Sequence, residues 1–118
     1  MKSRGRDATG VGLPHGILDL LVLQTLRWGP RHGYGIARVI RENSTDALRI
    51  GAGSLYPALH RLARRRFTAA SWTSAKTGRR IRVYRLTPRG EQRLALETIR
   101  WAALAITIAT LATPPIRD

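Results

Sequence analysis

The chain has 118 residues, enough for one small domain and short for two. Lysine and arginine total 21 against 7 acids, a net charge of +14, and 43 % of the residues are apolar, so a modest core must carry a strongly basic surface. There is no cysteine, which excludes a disulfide framework and a thiolate zinc site.

Residues 1–12 (MKSRGRDATGVG) read as a flexible basic arm. They lack the apolar run and cleavage site of a secretion signal, so the expected location is cytoplasmic. Pro14 to Trp28 reads as a first helix. Its residues Ile17, Leu18, Leu20, Leu21, Val22, Leu23 and Leu26 leave almost no polar face, which predicts a central, buried element. Gly29-Pro30 stops it, and Arg31 to Gly33 make a short connection. Tyr34 to Asn43 reads as a second helix, with Ile36, Ala37, Val39 and Ile40 inward. Residues 44–53 form a linker.

Ser54 is the expected N-cap of a third helix, which places Pro57 in its first turn. Leu55, Ala58, Leu59 and Leu62 share one arc. The opposite arc holds Pro57, His60, Arg61 and Arg64, with Tyr56 and Arg65 at its margins. Tyr56 and His60 read equally as outward contact residues and as partly buried supports. Phe67–Ser74 and Arg79–Leu86 read as a β-hairpin turning at Ala75-Lys76-Thr77-Gly78. Ile81 and Val83 point one way, and Arg80, Arg82 and Tyr84 the other, with Tyr84 packing within the hairpin. Thr87-Pro88 caps a last helix running to about Ala112.

Nineteen of the basic residues are arginine, whose forked guanidinium matches phosphate oxygens and guanine edges. From Arg61 to Arg89 there are ten basic residues and no acid, a block that repels itself unless it meets a polyanion; nucleic acid is the leading reading, with an anionic membrane and plain solubility as the others. Arg61, Arg64 and Arg65 are therefore the leading DNA-binding residues. Lys76, Arg79 and Arg80 at the hairpin tip should contribute nonspecific, salt-sensitive contacts. On the last helix, Leu94, Trp101, Leu104, Ile108 and Leu111 recur at spacings of seven, three, four and three, a coiled-coil-like seam for a second protomer. Ile99 and Ile106 broaden that surface. The uncharged run from Trp101 to Ile116 is 16 residues with three Thr and two Pro, short of the roughly 20 residues that span a bilayer. His15, His32 and His60 are scattered without metal-site spacing, and Gly33 and Gly35 lack a nucleotide-loop context, so no catalytic or metal site and no cofactor is expected.

The fold class is mainly α with a small β-hairpin: a winged helix-turn-helix plus a long C-terminal dimerisation helix. The divisions are a basic arm at 1–12, the winged helix at 13–87, the dimerisation helix at 88–112 and a tail at 113–118.

LDLLVLQTL (18–26), GPRHGYGIA (29–37), GSLYPALHRLARR (53–65) and GRRIRVYRLTPRG (78–90) resemble the PadR family of bacterial transcriptional regulators, from about Leu13 to Trp101. The resemblance implies a homodimeric repressor on a pseudo-palindromic operator of double-stranded DNA, often that of its own or a neighbouring gene. In some relatives a small aromatic effector at the dimer interface releases the DNA, which would make Trp101 a stacking platform. It implies that helix three from Ser54 to Arg65 reads bases. Tyr34, Ser54 and Tyr56 would hold phosphates, and Arg79, Arg80 and Arg82 would lie along the minor groove or backbone. Arg66 stands where relatives have glycine, which predicts a differently built helix end, because arginine reaches the left-handed cap only with strain. The other class of reading is a basic RNA-binding or ribosome-associated winged helix, which has no preferred duplex. A third is an effector-binding module for which DNA is secondary.

Overall fold

The structure is a computed structural model that describes residues 13–114. The expected arm at 1–12 and most of the tail lie outside the described residues. Along the chain run α1 (His15–Arg27), β1 (Arg31–His32), α2 (Gly33–Asn43), α3 (Ala52–Arg64), β2 (Thr68–Ser74), β3 (Arg80–Leu86) and α4 (Pro88–Leu111). The sheet order is β1-β3-β2, all antiparallel.

As its composition requires, α1 lies at the centre. Leu18, Val22, Leu23 and Leu26 are buried on it, and Thr25 satisfies its buried hydroxyl by donating to the Leu21 carbonyl at 2.9 Å. Ile36 and Ile40 of α2, the leucines of α3, Phe67 and Leu94 close the core around it. Gly29 turns the chain away with φ 138°, a conformation closed to other residues.

The segment expected as a bare connection is a strand. Arg31 pairs with Tyr84 and His32 with Val83 of the hairpin. Two residues show no alternation in a sequence; the free edge of β3 makes them a strand. His32 then caps α2, its Nδ1 accepting from the Gly35 N–H at 2.9 Å.

Helix α3 begins at Ala52, so Gly51 is its cap and the expected Ser54 cap is not formed. Backbone donors explain the shift. The Ser54 and Leu55 N–H groups both reach the Gly51 carbonyl, at 3.1 and 2.9 Å, and extend the helix past the serine. Pro57 consequently sits inside the helix rather than in its first turn. It cannot donate to the Gly53 carbonyl, and both residues lie on the exposed side where water can serve that carbonyl.

The end of α3 is built in the glycine manner after all. Arg66 takes φ 65°, its N–H donates to the Ala63 carbonyl and the Phe67 N–H donates to the Leu62 carbonyl, both at 3.0 Å. That is the paired pattern of a left-handed helix terminus, with buried Leu62 and Phe67 supplying its apolar contact. The start of α4 locks onto this corner. Thr87 donates its hydroxyl to the Arg66 carbonyl at 2.7 Å and accepts from the Gly90 N–H at 3.0 Å, capping α4 as expected. Gly90 lies so close to the Phe67 carbonyl that a side chain there would collide with backbone.

Leu94 is 4 % exposed and belongs to the protomer's own core, and Trp101 packs partly over Gly16 of α1. Beyond Trp101, α4 leaves the body and every residue to Pro114 is exposed.

Candidate nucleic-acid interface

The outer line of α3 is Gly53, Pro57, His60 and Arg64, all exposed, at helical spacings of four, three and four. Four leucine and alanine side chains buried on the other side hold it. Ala63 is exposed beside this line, a position not counted among the reading residues from sequence.

On one flank, Tyr56 leans over α2. A side chain at Gly33 would meet the Tyr56 hydroxyl at 2.7 Å, so the glycine is what lets the ring approach. Tyr34 is 67 % and Tyr56 49 % exposed. Together with His32 they line one side of a cleft of about 510 Å³, whose other side is the wing: Arg79, Ile81, Arg82 and Tyr84. The His32 and Tyr34 rings stack at 6.3 Å. Tyr34, Tyr56, Arg79 and Arg82, far apart in sequence, are thus brought onto one opening. Two hydroxyls and two guanidiniums there suit a phosphodiester, which accepts hydrogen bonds and attracts cations. Tyr84, expected as a packing residue of the wing, packs partly against the core and also lines this cleft.

The wing has a basic edge with an aromatic spine that the sequence reading missed. Trp72 on β2 faces Arg82 across the ladder. The Arg82 and Arg80 guanidiniums lie 5.2 and 4.8 Å from its ring centroid. The ring limits where those two heads can go. The signal was present in FTAASWTS, a tryptophan on an alternating strand opposite arginine. Lys76 and Arg79 are exposed at the tip, where Gly78 turns the hairpin with φ 88°.

Two expected readers are held elsewhere. Arg61 faces α1, not the outer line. Its Nη2 donates to Asp19 Oδ1 at 2.7 Å and its Nε to Oδ2 at 3.5 Å. At 100° per residue it stands at the margin of the outer arc, where the only carboxylate of α1 is within reach. Arg65 ends the helix and turns toward α4, its guanidinium 5.3 Å from the Phe67 ring, which Arg89 and Arg93 also approach at 5.4 and 5.6 Å. Its carbonyl accepts from Arg89 Nε at 3.0 Å. Ser54 is half-buried in the first turn of α3. Among the described residues no cluster of acids and histidines could hold a metal ion.

An exposed helix face ending in Arg64 beside a basic two-stranded wing is the arrangement of a winged helix made for duplex DNA. The family model for the transcriptional regulator PadR-like family matches residues 22–96. The chain belongs to the PadR-like family. Solved structures of similar proteins superpose well. A PadR family transcriptional regulator from Eggerthella lenta is 27 % identical with a TM-score of 0.72, covering 85 % of each chain. A PadR-like transcription factor from Bacteroides fragilis is 26 % identical at 0.69, over 82 % of this chain and 91 % of the other. A Streptococcus mutans protein reaches 0.78 at 25 % identity, over 92 % and 98 %. As a PadR-like protein the chain is a DNA-binding transcriptional regulator and not an enzyme.

Proposed function

We propose that this PadR-like chain is a cytoplasmic, homodimeric repressor of a neighbouring operon that binds a pseudo-palindromic operator. The observation that carries the reading is that Tyr34, Tyr56 of α3 and the wing arginines Arg79 and Arg82 open on one cleft, while α3 keeps His60 and Arg64 exposed. Two such surfaces, one helical turn of DNA apart, would seat two α3 helices in successive major grooves. His60 and Arg64 are the side chains aimed at bases, while Tyr34, Tyr56, Arg79 and Lys76 serve phosphates. Arg80 and Arg82 reach the minor groove or backbone from their places over Trp72.

Dimerisation is supported by α4. Ile99, Leu104, Ile106, Ile108 and Leu111 are exposed on it, far more apolar surface than a lone helix leaves in water. Leu94 drops out of the expected seam because its own protomer buries it. Trp101, Leu104, Ile108 and Leu111 remain as one stripe, and Ile99 and Ile106 form a second. An effector of aromatic type would meet Trp101 at such an interface. By length and composition alone α4, 24 residues long, would also suit a membrane.

The test is selection of duplexes from a random pool, followed by anisotropy titration. The expected result is a pseudo-palindrome bound at least a thousandfold better than random duplex or bulk RNA, on the order of the specificity such regulators show. Equal binding to bulk RNA would favour the ribosome-associated reading and overturn this one.

A further inference from the structure

His32 stands where three parts of the surface join. Its backbone pairs with Val83 on the wing strand, its ring caps α2, and it lines the cleft shared by Tyr34, Tyr56, Arg79 and Arg82. The cap occupies one ring nitrogen and fixes what the other can do. Nδ1 accepts from the Gly35 N–H at 2.9 Å, so it carries a lone pair and no hydrogen. A neutral imidazole then holds its one proton on Nε2, and a doubly protonated ring could not cap at all.

Nε2–H is therefore a donor, and it is unmet. Nothing among the described residues accepts a hydrogen bond from it. The half-buried side-chain atoms left without a partner and out of reach of water are Arg31 Nε and Thr68 Oγ1, so Nε2 reaches solvent. The opening that His32 lines is the cleft. The ring is also held in place. Nδ1 is tied to α2, Tyr34 stacks on it at 6.3 Å and 27°, and a Cβ at position 35 would press on Cε1 at 3.3 Å, so the glycine leaves it room. A donor fixed before binding loses little freedom when its acceptor arrives.

We propose that His32 is a further DNA contact, its neutral Nε2–H donating to an oxygen of the phosphodiester held in this cleft. This role rests on the reading of the cleft as a phosphate site and adds the one donor there whose direction the fold sets. A neutral donor acts differently from the arginines beside it. It orients the phosphate and releases no counterion, so its loss weakens binding and leaves the salt slope unchanged. A phosphate contact is blind to sequence, so the loss is equal on specific and random duplex.

Two substitutions separate the two nitrogens. His32→Asn keeps an acceptor where Nδ1 lies, in a residue favoured at helix caps, and removes the Nε2 donor. His32→Gln extends an amide N–H toward the place of Nε2 and gives up the cap. The asparagine variant should keep the urea midpoint and bind both the selected operator and random duplex about fivefold more weakly, with the salt slope kept. The glutamine variant should lose midpoint and bind within about twofold of the wild type. Two-bond ¹H–¹⁵N correlation on the full-length protein should show His32 neutral with its proton on Nε2. A proton on Nδ1 overturns the proposal. So does wild-type affinity in His32→Asn, or a loss of affinity there that comes with a lower midpoint or a shallower salt slope. If the wild type binds duplex and His32→Asn binds equally well, only this contact falls. If the wild type ignores duplex DNA, the regulator reading falls and takes the contact with it.

Discussion

Asp19 on α1 grips Arg61 on α3 across 42 positions of sequence, with Nη2 to Oδ1 at 2.7 Å. The Arg61 side chain keeps 28 % and that of Asp19 20 % of its exposure, so the pair is neither a loose surface bridge nor a dry buried one. Exposed pairs contribute about 0–1 kcal/mol, and breaking buried ones costs about 3–5 kcal/mol. Asp19→Asn should therefore lower unfolding stability by about 1–2 kcal/mol in urea, between those limits. Arg64→Ala, on the outer line, should leave stability within about 0.5 kcal/mol and weaken operator binding by about 1–3 kcal/mol. If Asp19→Asn instead left stability untouched and tightened DNA binding, Arg61 would be a reader rather than a clamp.

Arg66 occupies the left-handed terminus of α3 with φ 65°. An L-residue there is disfavoured by about 1–2 kcal/mol, and glycine is not. Arg66→Gly should accordingly raise stability by about 1 kcal/mol, reduced from that figure by the greater freedom of glycine in the unfolded chain. The urea midpoint should rise with an unchanged slope. A fall would mean that the Arg66 side chain makes contacts that outweigh the backbone strain.

Lys76 and Arg79 stand free at the wing tip, whereas Arg80 and Arg82 lie over Trp72. Replacing Arg79 with Ala should reduce the salt dependence of binding by about one unit of slope, equally on specific and random duplexes. Trp72→Ala keeps every charge, so the slope should stay while affinity falls by about 0.5–1 kcal/mol as two guanidiniums lose their platform. Anisotropy titrations across a salt series separate the two behaviours. Identical slopes and affinities for all three proteins would show that the wing does not touch DNA.

Ile106 and Ile108 are exposed near the far end of α4. Glutamate at both should break the apolar stripes, shift sedimentation from dimer to monomer, and reduce operator affinity at least about tenfold, because one half-site then binds alone. The α3 and wing surfaces are untouched by these changes, so weak binding to random duplex should persist. A wild-type chain that floats with lipid vesicles and stays single in their absence would assign α4 to a bilayer.

Much of this was legible from local pattern. The burial of α1, the leucine face of α3, the Thr87-Pro88 start of α4 and the turn of the wing all follow from neighbours within one or two turns of chain. The membership in the PadR-like family is written in four contiguous motifs. Periodicity also marked His60 and Arg64 correctly as outward, since the arc opposite four buried residues must face solvent.

Other features were decided only when distant segments met. Arg61 looked like a reader because its own helix turns it outward by wheel angle; Asp19, on another helix, supplies the carboxylate that redirects it. Leu94 and Trp101 share a stripe with Leu104, yet the body of the protomer ends between them, so one stripe serves two surfaces. A two-residue strand has no signature until β3 offers an edge. Sequence by itself determined the four helices, the hairpin, the charge and the family, because those rest on composition and short-range spacing. Tertiary structure alone decided which arginines are free, since that depends on which charges and rings the fold brings within a few ångströms of each guanidinium.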